Sequence, residues 1–225
     1  MPNASTSFFG WVAFLLEKYG MLFLRGTGMT LLIALTGTAL GFALGLLVAI
    51  IRTIALPEKK KIGSNVGVTF RRGLLRLAQL LMNVYIQVFR GTPMIVQAVV
   101  IYYGAQYAGV FMDTTFAAIF IISINTGAYM AEIIRGGIVS VDKGQFEAAH
   151  AIGMTHWQTM TTVVLPQAIR NILPSVGNEL IVNIKDSSVL NVISVSELFF
   201  QAKSAAGTYY RYFEVYFIIA VIYLI

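Results

Sequence analysis

Side chains that could perform chemistry are few in this sequence. Its two histidines, His150 and His156, flank Gly153, and no carboxylate at helical spacing completes a metal site with them. The His-Glu-x-x-His pattern of zinc enzymes and the Gly-x-Ser-x-Gly turn of serine hydrolases are both missing. The sequence has no cysteine, which removes thiolate metal sites and thiol nucleophiles. We therefore predict no catalytic residue and no metal site, and a membrane enzyme is disfavoured.

The most informative segment is a short polar one, residues 145–153, between hydrophobic stretches. Asp142 can cap a helix here, with Gln145 three residues on as in a capping box. Gly153 suits the C-terminal exit of the helix. About ten helical residues span about 15 Å, half of a bilayer's hydrocarbon layer. The helix therefore lies at the surface, where it can dock on a soluble partner.

A second helix follows at once, because Thr155 and Gln158 repeat the capping spacing. One narrow face of the first helix consists largely of small side chains: Phe146, Ala149, and Ile152 or Gly153. A helix that lies on lipid normally shows bulky apolar and basic faces instead. Small residues permit close packing into a protein cleft, so docking is favoured over an amphipathic linker.

Composition places these elements in a membrane. The chain is 57% hydrophobic and 12% charged, with a mean hydropathy of +0.76, whereas soluble domains carry about 25% charged residues. We predict a polytopic helical membrane protein. The net charge of +6 fits the excess of Lys and Arg in cytoplasmic loops, so we expect no nucleic-acid partner.

The first clear membrane span covers about 29–51. The apolar stretch before it carries Glu17 and Lys18, which favours an interfacial lead-in. We therefore divide the chain into a lead-in at 1–28 and a transmembrane domain at 29–225. Glycines recur every four residues on one face of this span, at Gly37, Gly41 and Gly45. Such spacing permits close helix contact, although ordinary glycine usage in a membrane helix explains it equally well.

Two basic loops predict the orientation of the spans. The first carries Arg52, Lys59, Lys60, Lys61, Arg71 and Arg72. The second begins at Arg135 and contains the polar helix. Because cytoplasmic loops are rich in Lys and Arg, both loops are expected in the cytoplasm. An even number of crossings then separates them.

Three apolar stretches between the loops must therefore make only two crossings. We take 74–110 as one kinked span, interrupted at Arg90-Gly91-Thr92-Pro93, and 115–134 as its return. Proline removes a helix hydrogen bond, and arginine is costly at the bilayer centre. With further spans at 175–196 and from Tyr212, we expect five spans, with the N-terminus outside and the C-terminus inside.

Polar side chains within the spans are candidates for a transport pathway, because such groups usually face a cavity or a partner. The candidates are Asn125, Tyr129, Glu179, Asn183, Lys185 and Asp186. For the asparagines, interhelical hydrogen bonding and pathway lining stay equally open. Glu132 lies three residues before Arg135, which favours a local ion pair.

Several ordered motifs resemble one family of transport proteins. The motifs are Glu147-Ala148-Ala149, Gly153 and Val164-Leu165-Pro166, with Arg90-Gly91-Thr92-Pro93, the stretch from Gly127 to Gly137, Leu165-Pro166-Gln167-Ala168 and Lys185-Asp186-Ser187-Ser188-Val189 beside them. The first set resembles the EAA motif of membrane subunits of bacterial ABC importers. The flanking set resembles the polar amino-acid permeases, such as the histidine, glutamine, arginine and cystine importers. Ser187 and Val189 are mild departures from that pattern.

The resemblance implies an all-α fold, a polytopic helical membrane protein with about five transmembrane helices and the type I ABC importer permease (MetI-like) fold. It implies a cytoplasmic coupling helix at about 143–153, in which Glu147, Ala148, Ala149 and Gly153 contact the ATPase. The implied location is the bacterial cytoplasmic membrane.

The resemblance also implies the partners. Two ATP-binding cassette subunits would hold ATP and Mg, with no cofactor on this chain. The chain itself lacks a Gly-x-x-x-x-Gly-Lys-Ser/Thr loop. A second permease copy or paralogue would complete the pathway within membrane lipid, and an extracytoplasmic binding protein would deliver a polar amino acid. Two alternatives stay open: an ATP-independent secondary amino-acid transporter, and an ABC importer of another small solute.

Overall fold

The computed structural model describes residues 7–54 and 66–225, and all regular secondary structure in these parts of the chain is helical. The α-helices are α1 (Phe8–Thr53), α2 (Val66–Gly91), α3 (Met94–Tyr107), α4 (Thr114–Val139), α5 (Lys143–Ala151), α6 (His156–Gln158), α7 (Leu165–Asp186), α8 (Leu198–Tyr209) and α9 (Tyr212–Leu224). A π-helical segment, Thr159–Val164, precedes α7, and a 3-10 segment, Ser187–Ile193, follows it. The break expected at Arg90-Gly91-Thr92-Pro93 falls between α2 and α3.

Helix α1 continues unbroken through the charged residues of the expected lead-in. It has 46 residues, about 69 Å of helix, and shows no boundary near residue 28. Lys18 donates a hydrogen bond to the Tyr209 hydroxyl. Its ammonium also lies 5.7 Å, 5.9 Å and 5.1 Å from the ring centroids of Phe14, Tyr19 and Tyr209. These aromatic contacts stabilise the charge within the helix. Because the helix is unbroken, the lead-in is continuous with the first span.

The chain packs as two compact units. The first comprises the chain up to Gly37, Met94–Ile122 and Ile181–Ile225. One of its two cores joins α1, α8 and α9 and includes Leu15, Phe23, Leu198, Ala202, Val215 and Ile218. A Cβ on Gly26 would lie 2.8 Å from the Leu198 Cα, so α1 and the start of α8 approach at backbone distance.

A buried carboxylate begins α8. Glu197 is fully buried, and its Oε1 and Oε2 accept hydrogen bonds from the backbone amides of Phe200 at 2.6 Å and Phe199 at 2.8 Å. The Leu198 amide donates to Thr30 Oγ1 of α1 at 3.3 Å. These bonds satisfy the otherwise unpaired amides of a helix N-terminus.

The second unit comprises the described parts of Thr38–Pro93 together with Ser123–Leu180. Here the glycine face of α1 meets α4. A Cβ on Gly41 would lie 2.7 Å from the Thr126 Cβ, and one on Gly45 would lie 2.5 Å from the Met130 Cβ. No side chain fits at those distances, so of the two explanations left open for the glycine spacing, close helix contact holds at Gly41 and Gly45.

Helix α2 is also attached to α4 in this unit. The Tyr85 hydroxyl donates to the Ile124 carbonyl at 2.5 Å, and Ile86 packs against Ala128 in a buried cluster. The Asn125 side chain of α4 donates to the Phe89 carbonyl at 3.4 Å. The last turns of α2 are therefore held at a fixed position along α4.

Within the described residues, the helices that could cross a bilayer are fewer than the five spans expected. By length and composition, α1 and α4 qualify, and α2 with α3 qualifies as a third if the two form one broken span. Helix α9 is apolar but has 13 residues, short of the roughly 20 that a crossing needs. The count of five spans therefore stays a prediction.

Candidate functional site

The short polar helix predicted from sequence is α5, and its ends are built as expected. Asp142 caps its N-terminus, with Oδ1 accepting from the Gly144 amide at 2.7 Å. Gly153 ends the turn beyond its C-terminus with φ +82°. L-residues with a side chain rarely adopt that conformation, so glycine is required there. The helix has nine residues, Lys143–Ala151, and is too short to cross a membrane.

The face of α5 that carries Ala149 is buried, although the sequence predicted that this face would be exposed for docking. The methyl group of Ala149 is buried, with 4% exposed, and Phe146 packs against the core of Val141, Val164 and Ala168. The small-residue face therefore packs on this chain's own interior. The expectation that Ala149 contacts a partner stays a prediction, and its burial here indicates packing on this chain, because three- and four-residue spacing defines a face without saying what covers it.

The opposite side of α5 is open. Glu147 and Ala148 are exposed, and so is Gly153. Two large apolar side chains flank the C-terminal end, Ile152 with 79% exposed and Trp157 with 75% exposed. Sequence reasoning did not select Trp157 for this surface. Its position two residues after a new helix cap was the available signal.

The next helix begins with the predicted capping box. Thr155 Oγ1 accepts from the Gln158 amide at 3.3 Å, and Gln158 Oε1 accepts from the Thr155 amide at 2.9 Å. The π-helical segment Thr159–Val164 then runs directly into α7. Pro166 follows within the first turn of α7, where the absence of a proline amide hydrogen is tolerated best.

Side-chain bonds attach α7 to α5 and to the end of α4. Gln167 Nε2 donates to Gln145 Oε1 at 3.4 Å, and Asn171 Nδ2 donates to Ser140 Oγ at 2.9 Å. A Cβ on Gly137 would lie 2.1 Å from Ile172 Cγ2. Helix α7 therefore contacts both α5 and the end of α4.

A three-residue ionic cluster lies between α1 and α4. Arg52 Nη1 pairs with Glu132 Oε1, and Arg135 Nε pairs with Glu132 Oε2 at 2.9 Å. The local pair of Glu132 and Arg135 is confirmed. The second partner, Arg52, was not found from the sequence because it lies 80 residues away.

The candidate pathway residues fall into both units. In the second unit, Asn125 is buried and Tyr129 half-buried, and the Arg90 guanidinium carbon lies 5.4 Å from the Tyr129 ring centroid. Glu179 is also buried there. In the first unit, Asn183 is buried, Asp186 half-buried and Lys185 exposed. The structure thus brings Asn125 and Tyr129 together with the end of α2, and Arg90 is an addition to the set.

Metal ligands do not gather in the part of the chain that the structure describes. No group of three or more His, Cys, Asp or Glu side chains is placed to hold an ion. His150 and His156 are both exposed.

Long apolar helices joined by a short, exposed polar helix define the class, a helical membrane protein. The chain belongs to the family of binding-protein-dependent transport system inner membrane components, whose model matches residues 63–225. It is the membrane permease subunit of an ABC importer, and ATP hydrolysis in such a system belongs to a separate subunit. The family inferred from the sequence motifs is confirmed.

Two relatives show the extent of the likeness. The chain is 38% identical over 206 residues to the glutamine transport system permease protein of Escherichia coli (strain K12), covering 91% of this chain and 85% of that protein. It is 34% identical over 203 residues to the arginine transport system permease protein of Bacillus subtilis (strain 168), covering 90% and 84%.

Solved structures agree on the fold. An amino acid ABC transporter crystallised with histidines has 38% identity and a TM-score of 0.81, covering 98% of this chain and 92% of that one. An inward-facing methionine ABC transporter has 22% identity and a TM-score of 0.68, covering 92% and 90%, which shows the fold alone. The predicted all-α type I importer permease fold is confirmed.

Proposed function

We propose that this chain forms the pathway through which an ABC importer carries a polar amino acid across the bacterial cytoplasmic membrane. An extracytoplasmic binding protein delivers the amino acid, and a second copy or a paralogue of the permease completes the pathway. Two ATP-binding cassette subunits, which hold ATP and Mg²⁺, dock on the cytoplasmic face through α5. The relatives named for glutamine and arginine support the substrate class.

The main support for this proposal is the exposed face of α5. A helix of nine residues with both ends capped is a rigid projection, and Glu147 and Ala148 point away from the permease interior. Ala148 permits close approach to a cleft, Glu147 offers a carboxylate to polar groups there, and the exposed Ile152 supplies apolar contact. We assign contact with the ATPase to Glu147, Ala148 and Gly153, and we assign Ala149 to packing that holds α5 in place.

Motion of α5 couples the ATPase to the pathway in this proposal. ATP binding closes the ATPase pair and draws the coupling helices of the two permeases together. Because Gln145–Gln167 and Asn171–Ser140 attach α5 and α4 to α7, the movement passes as a rigid-body shift that opens the cavity outward. Hydrolysis and release of nucleotide restore the inward-facing state. Asn125, Tyr129, Glu179, Asn183, Lys185 and Asp186 remain the candidates for lining the pathway.

The deciding experiment joins assembly to stimulated hydrolysis. The chain is purified with its cognate ATPase, reconstituted in liposomes, and assayed for ATP hydrolysis with and without the candidate binding protein and each polar amino acid. We expect stimulation only when the binding protein and its amino acid are both present. Ala148→Glu should abolish ATPase binding, whereas Ala108→Glu, the same change at an exposed alanine beyond α3, should not.

The same assay separates the alternatives. An ATPase that binds but responds to a different solute leaves the importer in place and changes the substrate. Transport by the purified chain without any ATPase indicates an ATP-independent secondary transporter and overturns the docking role of α5.

A further inference from the structure

An exposed arginine next to an aromatic ring marks the end of α2. The Arg90 guanidinium carbon lies 5.4 Å from the centroid of the Tyr129 ring, which is within cation–π range. The side chain of Arg90 is exposed and that of Tyr129 half-buried. The ion pairs of the described residues involve Arg52, Arg135 and Arg211, so Arg90 has no carboxylate partner among them.

The position of Arg90 is fixed by α4. The Asn125 amide donates to the carbonyl of Phe89, the residue immediately before Arg90. One turn earlier, the Tyr85 hydroxyl donates to the Ile124 carbonyl. A Cβ on Gly127 would lie 2.7 Å from the Tyr85 hydroxyl oxygen, so α2 and α4 approach closely here. The backbone at Arg90 is therefore fixed, and the Tyr129 ring restrains the guanidinium before any ligand arrives, which lowers the entropic cost of binding.

The depth of this pair along α4 makes lipid a costly environment for the guanidinium. Tyr129 lies fourteen residues after the start of the expected span 115–134 and five residues before its end, about 21 Å and 8 Å of helix. This position is inside the hydrocarbon layer, towards its cytoplasmic side. An arginine facing lipid there is costly, so such residues face a water-filled cavity or a partner group.

The geometry points to Arg90 as the residue that binds the α-carboxylate of the transported amino acid, and we propose this role, which rests on the proposed function. The tyrosine ring lies beside the guanidinium, and none of the ion pairs in the described residues occupies its N–H groups. A planar N–H fork matches a carboxylate with two parallel hydrogen bonds. Glutamine and arginine, the substrates in the names of two relatives, differ in their side chains and share this carboxylate.

The test measures direct binding by the permease–ATPase complex in nanodiscs, without a binding protein. Radiolabelled L-glutamine and L-arginine are each compared with the corresponding α-amide, which lacks the negative charge. We expect the wild-type complex to prefer the acid. Arg90→Gln should lower the acid's affinity by about tenfold or more, as for loss of a charged hydrogen bond, and remove the preference. Arg90→Lys should keep the preference at reduced affinity.

Arg170→Gln is the matched control, because Arg170 is also exposed and lies on α7. It should bind both ligands like the wild type. Arg90→Gln with an unchanged preference for the acid overturns the inference and leaves the proposed function intact. The inference is also overturned if the Arg90→Gln variant no longer forms the permease pair on size-exclusion chromatography. That result would mean that Arg90 contacts the partner subunit and not the substrate. A wild-type complex that binds neither amino acid overturns the inference together with the proposed substrate class, while ATPase docking is judged separately by co-purification.

Discussion

Arg52 at the end of α1 pairs with Glu132 of α4 across 80 positions of sequence, and Arg135 occupies the second carboxylate oxygen. The side chains of Arg52 and Glu132 are only 22% and 19% exposed. Both oxygens of Glu132 are thus satisfied by charged donors. The cluster joins the end of the first span to the helix that leads to α5.

We expect Glu132→Ala to destabilise the permease, because it leaves two guanidinium groups without their acceptor. The loss should be about 1–3 kcal/mol, as for hydrogen bonds to charged groups. The unfolding temperature of the detergent-purified complex measures it. Arg135→Ala should cost less, since the Arg135 side chain is 50% exposed. An unchanged unfolding temperature for Glu132→Ala would contradict the structural role.

Gly45→Ala should destabilise the contact of α1 with α4. The added methyl group would lie 2.5 Å from the Met130 Cβ and 2.9 Å from the Ala131 nitrogen, and overpacking of this kind costs about 1–3 kcal/mol. Gly28→Ala is the control on the same helix, because nothing lies within 4 Å of its Cβ position. Thermal unfolding of the two variants should separate clearly, and equal unfolding temperatures would contradict the close contact.

Adjacent alanines on α5 should respond differently to glutamate. Ala149→Glu places a carboxylate in the buried site beside Phe146, so the yield of monodisperse permease should fall severely. Ala148→Glu should give a normally folded permease that fails to retain the ATPase. Size-exclusion chromatography followed by ATPase co-purification distinguishes the two results. A folded Ala149→Glu variant that lost only the ATPase would return Ala149 to the contact surface.

Tyr129 should act on substrate binding through its ring rather than its hydroxyl. Tyr129→Phe retains the aromatic face beneath Arg90 and should bind L-glutamine or L-arginine within about twofold of the wild type, since cation–π attraction needs the ring alone. Tyr129→Leu should weaken binding about fivefold. The measurement is direct binding to the nanodisc complex, with the α-amides as the comparison. Equal affinity of Tyr129→Phe and Tyr129→Leu for the amino acid would show that the ring does not contribute to binding.

Local rules explain why α5 was predictable from sequence. The Asp142 cap, the positive φ of Gly153 and the Thr155–Gln158 capping box depend on residues within a few positions of one another. The break at Arg90-Gly91-Thr92-Pro93 has the same local origin, because Pro93 lacks an amide hydrogen and disfavours helical backbone at the residue before it.

The features that the sequence did not predict depend on contacts between distant parts of the chain. Glu17 and Lys18 suggested an interfacial lead-in, but the Lys18 ammonium lies 5.1 Å from the ring centroid of Tyr209, and no local pattern shows that contact. The buried side of α5 could not be chosen either, since periodicity gives a face and the fold decides what covers it. Arg90 was recognised as costly, yet its position beside Tyr129 depends on α2 packing against α4.

The π-helical segment Thr159–Val164 lets the chain carry one more residue without rotating α7. A π turn accommodates one residue more than an α turn of similar height, so removing a single residue within it would let the chain continue as α-helix with α7 in the same rotation. A deletion inside α7 ahead of Asn171 would instead rotate everything after it by about 100° around the helix axis. Asn171 would then lose Ser140, and Ile172 would leave the backbone of Gly137. The π segment thus absorbs a change in chain length, and a one-residue deletion within it should be tolerated far better than one between Leu165 and Asn171.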